Sequence, residues 1–210
     1  DLAAEVKAAA GRKPVMAFID DLGASAAYWI ASQADQVFAN SATALVGSIG
    51  TLIVVEDQSA AAEVAGVKVH TFGTGPLKGT GVPGTQITES QQAYLKALAE
   101  DSQVSFDVAV RKGRGLSEKR LADAKTGGVF LAEDALSMGL IDGIRSLDAV
   151  VNDLAAESRR RAKGQQSRAA TSPPIRSQAV NENELNQPSA TNPAVDPVAA
   201  MNAQVAANLE

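Results

Sequence analysis

The unbroken apolar run Val15 to Ile19, followed by Gly23 and an alanine-rich segment, constrains the fold of this chain more than any other feature. From Asp20 to Gly50 the sequence reads DDLGASAAYWIASQADQVFANSATALVGSIG. A strand without polar alternation belongs to a sheet covered on both faces, and a glycine turn into alanines predicts strand, sharp turn and buried helix. Asp1 to Ala10 predicts an earlier helix with Leu2 and Val6 on one face, closed by Gly11. Helix, strand, helix is an α/β pattern. Ser25 falls at the start of the second helix, predicted over Ala24 to Ala34 and apolar almost all round. Unpaired N–H groups and the helix dipole favour negative charge there, which suits an attacking alkoxide or an oxyanion. A serine in that place also serves as an ordinary N-cap, and this stretch alone leaves both roles open.

With 210 residues, 45% of them hydrophobic, the chain is long enough for one domain and an appendage. Its last aromatic is Phe130, so the core is expected to end well before the C-terminus. The net charge of −5 is spread over interspersed acids and bases, which gives no footprint for nucleic acid. Arg159, Arg160, Arg161 and Lys163 form a basic cluster that suits the end of a solvated helix. The absence of cysteine excludes disulfides, thiolate metal sites and a cysteine nucleophile, and leaves the redox compartment open. No run approaches the ~18 apolar residues of a membrane span, and the start does not read as a signal peptide. A chain that opens on Asp1 rather than Met is expected to be a fragment or a processed product.

Further along, Gln36 to Ala39 predicts a short strand. Gly47 and Gly50 inside the β-branched run Leu45 to Val55 predict close backbone approach. A short helix is expected over Gln58 to Ala65, and VKVHTF from Val67 to Phe72 alternates like a half-exposed strand. Gly73 to Thr85 (GTGPLKGTGVPGT) is a glycine-rich loop long enough to be functional. Thr88 and Gln91 form a capping box that starts a long helix to about Arg111, with Gly113 and Gly115 stopping it. Shorter elements follow: a helix capped by Ser117, a strand near Phe130, a helix over Ala132 to Met138, and a last helix from Leu147. This gives a core over 1–155, a basic linker or helix end over 156–164, and a disordered or scaffold-like tail over 165–210. The tail holds five of the eight prolines and no aromatic.

A single histidine, His70, restricts the chemistry. It lies in the alternating segment, where a surface or packed role fits better than a Ser-His-Asp triad, and one histidine cannot build a histidine-rich metal site. Asp20 and Asp21 are neighbours in a strand-like stretch and point to opposite faces, so they do not form the facing acid and base of a glycosidase. A serine paired with a lysine remains. An ordinary lysine titrates near ~10.4 and must be brought to ~7 to 8 to act as a base, a shift of about 4 kcal/mol that calls for a desolvated setting. Lys78, flanked by Pro76, Leu77 and Gly79, has no local acidic partner. It suits that task, and it equally suits a solvated loop position.

Four segments together resemble the signal peptide peptidase A family of Ser-Lys peptidases, which includes phage capsid-assembly (prohead) proteases. GASAAYWIASQAD resembles the family's nucleophile segment, and ANSATALVGSIGT its following Asn and Gly-Ser-Ile-Gly signature. GTGPLKGTGVPGTQITE is similar to its base-lysine loop, and GGVFLAEDALSMGLIDG to its closing aromatic and Gly-Leu-Ile-Asp element. The likeness covers nearly all of residues 1–155. It implies an α/β fold of the crotonase and Clp-protease kind, a spiral of ββα units that assembles into homo-oligomeric rings. It also implies Ser25 as nucleophile and Lys78 as general base, with Gly23, Ala24, Gly47, Ser48 and Gly50 binding substrate or shaping the site. No cofactor and no metal are implied. In such a family the two catalytic residues can come from different subunits. The family's Ser-Pro-Gly-Gly segment, which helps form the oxyanion hole, would precede Asp1, so the N-terminal part of the fold is expected to be missing. Ala26 and Ala27 stand where many relatives have glycines. The expected substrate is a protein or peptide, with capsid or scaffold protein met through the tail. The expected location is the bacterial host cytoplasm or the immature virion. A signal-peptide-degrading enzyme of the same family, an idle assembly module and an acyl-CoA enzyme of the crotonase type are the alternatives.

Overall fold

A computed structural model describes the backbone of residues 1–171 and the side chains through residue 164. Helix α1 (Leu2–Ala10) is capped by the Asp1 carboxylate, which accepts from the Ala4 N–H at 2.8 Å. Strands β1 (Met16–Ile19) and β2 (Leu22–Ala24) lead into α2 (Ala26–Ala31), then β3 (Gln36–Ala39) and β4 (Leu45–Gly47) lead into α3 (Ser59–Val64). The chain thus makes two successive ββα units. β1 pairs in parallel with β3, Phe18 opposite Phe38, while β2 pairs in parallel with β4, Gly23 opposite Val46. Equivalent strands of the two units therefore lie side by side, which is one turn of a spiral and accords with the expected α/β class.

The rest of the described chain closes this spiral. Helix α4 (Glu89–Arg114) starts at the predicted capping box, and α5 (Glu118–Ala124) is capped by the Ser117 hydroxyl. Strand β5 (Val129–Leu131) runs antiparallel to β4, and α6 (Ala132–Met138) ends at left-handed Gly139. Strand β6 (Gly143–Ile144) joins β3 in parallel, and α7 (Leu147–Thr171) follows. The core gathers Tyr28, Val37, Val46, Ile49, Phe106, Val110, Leu140 and Ile141. Trp29 of α2 stacks on Phe106 of α4, ring centroids 4.8 Å apart and planes 8° from parallel.

Several expectations are corrected. The second helix is shorter than Ala24 to Ala34, and its first turn is open to solvent at Ala26 and Ala27. Burial begins at Tyr28. Gly113 does not stop α4. It lies inside the helix where the Ser32 carbonyl presses in, so that an added Cβ would sit 2.2 Å from that oxygen, and Gly115 provides the left-handed cap at φ 61°. Val67 to Phe72 is not a strand, because an alternating segment becomes one only against a partner, and none lies beside it among the described residues. The run from Leu45 is strand only through Gly47. Its ladder continues for two residues, through Ser48 N–H to Gly128 C=O and Gly127 N–H to Ile49 C=O, before the backbone leaves the sheet.

Helix α7 runs without a break through residues 155 and 165. Arg161 is a tie rather than a solvated end. Its guanidinium donates to Ala10 C=O at 3.3 Å, Asp35 at 3.2 Å and Glu157 at 3.2 Å, and so holds α7 against the turns after α1 and α2. Residues 172–210, within the expected tail, lie outside the described residues.

Candidate active site

Ser25 occupies the junction between β2 and α2 with φ 54° and ψ −127°. A non-glycine residue held there stores about 1 to 3 kcal/mol of strain, which the surroundings must impose. Two backbone hydrogen bonds impose it. The Ser25 N–H donates to Gly47 C=O at 2.8 Å, extending the β2–β4 ladder by one residue, and the Ser25 C=O accepts from Trp29 N–H at 2.9 Å, starting the helix. The side chain makes no capping hydrogen bond and is exposed. The N-cap alternative is therefore set aside by geometry. A strained serine on a strand-to-helix turn, hydroxyl outward, is the arrangement by which α/β-hydrolases present a nucleophile.

The glycines beside Ser25 are small because core side chains press on their backbone. A Cβ on Gly23 would come within 2.5 Å of Ile19 Cδ1. Gly47, at φ 115°, leaves only 3.1 Å to the Phe130 ring for any added Cβ. Ser48 has φ 50°, the other positive value among described non-glycine residues. Gly23, Ala24, Gly47 and Ser48 thus share the end of the β2–β4 ladder with Ser25. Gly50 lies farther along, where an added Cβ would be 3.1 Å from Gly127 Cα.

Lys78 lies elsewhere on the chain surface. Its loop surrounds an open cleft of about 480 Å³ lined by Thr71, Thr74, Pro76, Lys78, Thr85 and Gln91 among others. The Lys78 N–H donates to Gly75 C=O at 3.1 Å, and Gly73 lies so close that an added Cβ would sit 3.1 Å from Lys78 C=O. The side chain is exposed, Ser25 does not line the cleft, and no hydrogen bond joins the two residues. The desolvated setting expected for a base is therefore not formed among the described residues. The physical reason is visible in the segment itself: Leu52 (83% exposed), Val54, Val64 and Phe72 (98% exposed) project from it with nothing among the described residues covering them.

His70 is exposed on the same segment. Asp20 accepts from the Asn40 amide at 2.9 Å, fastening the turn after β1 to the end of β3. Among the described residues, no cluster of His, Cys, Asp and Glu could hold a metal ion.

Two sets of residues escaped sequence reasoning. Beneath α2 the Tyr28 hydroxyl donates to Leu140 C=O at 2.8 Å, and the Arg114 guanidinium forks onto the Asp142 carboxylate at 2.8 and 2.9 Å. Asp142 also accepts from Val37 N–H at 2.7 Å. Burial pushes the Tyr28 hydroxyl well above the usual tyrosine range; nearby Arg114 opposes that shift and Asp142 adds to it. At the base of the Lys78 excursion, Asp57 accepts from the Ser59 hydroxyl at 2.6 Å and the Ser59 N–H at 3.0 Å. It also accepts from Ile87 N–H at 3.0 Å. These three donors hold its carboxyl below the ordinary range. The Asp-x-Ser spacing is a sequence signal for the Ser59 contacts, whereas Ile87 is too distant in sequence to be read.

The fold is that of an α/β protein with an exposed serine on a strand-to-helix turn, and comparison with known proteins makes the class specific. The sequence model of Peptidase family S49 matches residues 7–161, and the chain belongs to that family. It is 29% identical over 143 residues to "Putative protease MJ0651" of Methanocaldococcus jannaschii, covering 68% of this chain and 46% of that protein. It is 32% identical over 140 residues to "Protease 4" of Haemophilus influenzae, covering 67% and 22%. It is also 29% identical over 139 residues to "Capsid assembly protease C" of Escherichia phage lambda, covering 66% and 31%. The chain spans less than half the length of each of these relatives.

Proposed function

We propose that the whole protein is a serine endopeptidase in which Ser25 attacks the scissile carbonyl and Lys78, supplied by a neighbouring copy, is the general base. The observation that carries this reading is the strained, exposed, uncapped Ser25 at the β2–α2 turn. In the first step neutral Lys78 takes the hydroxyl proton as Oγ bonds to the carbonyl carbon, and returns it to the leaving amine as the C–N bond breaks. A water then gives a proton to Lys78 as its oxygen bonds to the acyl carbon, and Lys78 passes that proton to Oγ as the C–Oγ bond breaks, releasing the acid and restoring Ser25 and neutral Lys78. A second copy docking over the exposed apolar segment around Lys78 would supply the desolvation that base chemistry needs. Gly23, Ala24, Gly47, Ser48 and Gly50 shape the floor of the site in this reading.

The substrate we propose is capsid or scaffold protein, processed in a ring of copies in the host cytoplasm or the immature virion. The support is the likeness to a phage capsid assembly protease. A signal-peptide substrate is the second reading, and it is favoured by the likeness to a "Putative signal peptide peptidase SppA" of Enterococcus faecium, 25% identical over 146 residues. The test is cleavage by the full-length protein of an unfolded head protein against an isolated apolar signal peptide. Either substrate should be lost by ~10³-fold or more in Ser25→Ala and in Lys78→Ala. Cleavage undiminished in both variants contradicts the dyad.

A further inference from the structure

Residues 58–86 form an excursion from the core that carries Lys78, and its two ends meet at one side chain. Asp57 precedes the excursion and Ile87 follows it, and the Asp57 carboxylate bridges them: Oδ1 accepts from both Ser59 groups, and Oδ2 from Ile87 N–H. Inside, the excursion packs on itself. Val67 N–H donates to Ala62 C=O at 2.9 Å, and Gly84 has no room for a Cβ, which would lie 2.9 Å from Val69 Cγ2. Gln91, on the first turn of α4, reaches back to Pro76 C=O at 3.3 Å. The excursion is therefore a small lobe whose placement on the core depends on its neck.

We infer that Asp57 is a positioning residue for Lys78: by joining Ser59 to Ile87 it fixes the angle at which the lobe presents the lysine. This rests on the Ser-Lys reading above. The near-isosteric change Asp57→Asn is a sharp probe, because the amide has one acceptor where the carboxylate has two. Its NH₂ must face either the Ser59 N–H or the Ile87 N–H, donor against donor. Displacement of a catalytic group by about 1 Å costs up to ~10²-fold in rate without touching the nucleophile.

The test uses the full-length protein and a serine-directed phosphonylating probe, with kinact and KI measured separately and amide exchange followed at Ser59 and Ile87. Asp57→Asn is expected to free one of the two amides and to lower kinact about 10- to 100-fold at unchanged KI and unchanged thermal midpoint. Ser59→Ala, which keeps both backbone bonds, should give a smaller loss of the same kind. Wild-type kinact in Asp57→Asn, or protection of both amides in it, overturns the proposal. A fall in KI-based affinity alone overturns it as well. Failure of the probe to label wild-type Ser25 sinks the dyad and this inference together, whereas labelling that ignores Asp57→Asn sinks this inference only.

Discussion

The Ser25 N–H donates to the Gly47 carbonyl at 2.8 Å, and this bond fixes the serine at a backbone geometry that L-residues avoid. The β2–β4 ladder extends one residue past β2, so Ser25 closes the ladder with its N–H and opens α2 with its C=O. The hydroxyl is left projecting from the junction.

If strain is stored at Ser25, a glycine there should release it. Ser25→Gly is expected to be about 1 kcal/mol more stable than Ser25→Ala, although glycine at an unstrained position is the less stable of the two. Urea unfolding of the two variants decides the sign, and alanine emerging as the more stable residue would mean that the turn is relaxed.

Gly113 permits α4 to approach the end of α2, where Ser32 C=O lies 2.2 Å from the position of an added Cβ. Gly113→Ala must move one helix relative to the other and is expected to cost about 1 to 3 kcal/mol or more. Gly115→Ala, with open space around it and φ 61°, should cost only about 1 kcal/mol, the left-handed backbone penalty. Equal losses in thermal melts would argue against the close approach.

Tyr28 gives a prediction in pH. Its folded-state ionisation lies above the unfolded value of ~10, so the stability it contributes is complete below pH ~10 and is lost as pH rises past that value. Tyr28→Phe loses the bond to Leu140 C=O and should cost roughly 1 kcal/mol near neutrality. The same variant should flatten the alkaline fall in unfolding free energy. An alkaline fall of wild-type size in Tyr28→Phe would assign that fall to other groups.

Arg114 is held by Asp142 and Gly139 C=O with only 6% of its side chain exposed. Arg114→Ala leaves the partly buried Asp142 without its cation and is expected to destabilise by about 3 kcal/mol. Denaturant titration reads this directly, and a change below 1 kcal/mol would show the fork to be ornamental.

A site shared between copies can be rebuilt from two dead chains. Mixed assemblies of Ser25→Ala and Lys78→Ala should regain about a quarter of wild-type activity, since half the Ser25 sites face a wild-type Lys78 in a randomly mixed ring. No recovery in a mixture shown to have co-assembled would place both residues in one chain.

How far the sequence could be read follows from which interactions are local. The β1 run, the Thr88–Gln91 capping box and the Gly139 cap depend on residues within a few positions of one another, and each appears where the sequence predicts it. The crowding at Gly47 and Gly50 was also legible, because glycine in a β-branched run has few other causes. Gly113 was misread because a helix-stopping glycine and a helix-contact glycine look alike until the second helix is in place. Val67 to Phe72 failed for the same kind of reason, since alternation makes a strand only where another strand lies beside it, and none does among the described residues. The Tyr28, Arg114 and Asp142 cluster joins positions more than a hundred residues apart, and no periodicity announces it. Ser25 could be singled out from sequence, but its strained geometry and uncapped hydroxyl required coordinates.

The most direct test of the Ser25–Lys78 account is covalent. The full-length protein is incubated with a serine-directed phosphonylating probe, and the adduct is located by peptide mass. The account predicts one adduct on Ser25 that forms in the wild type and is abolished, or slowed by ~10³-fold or more, in Lys78→Ala. An adduct on another residue, or Ser25 labelling at the wild-type rate without Lys78, would contradict it.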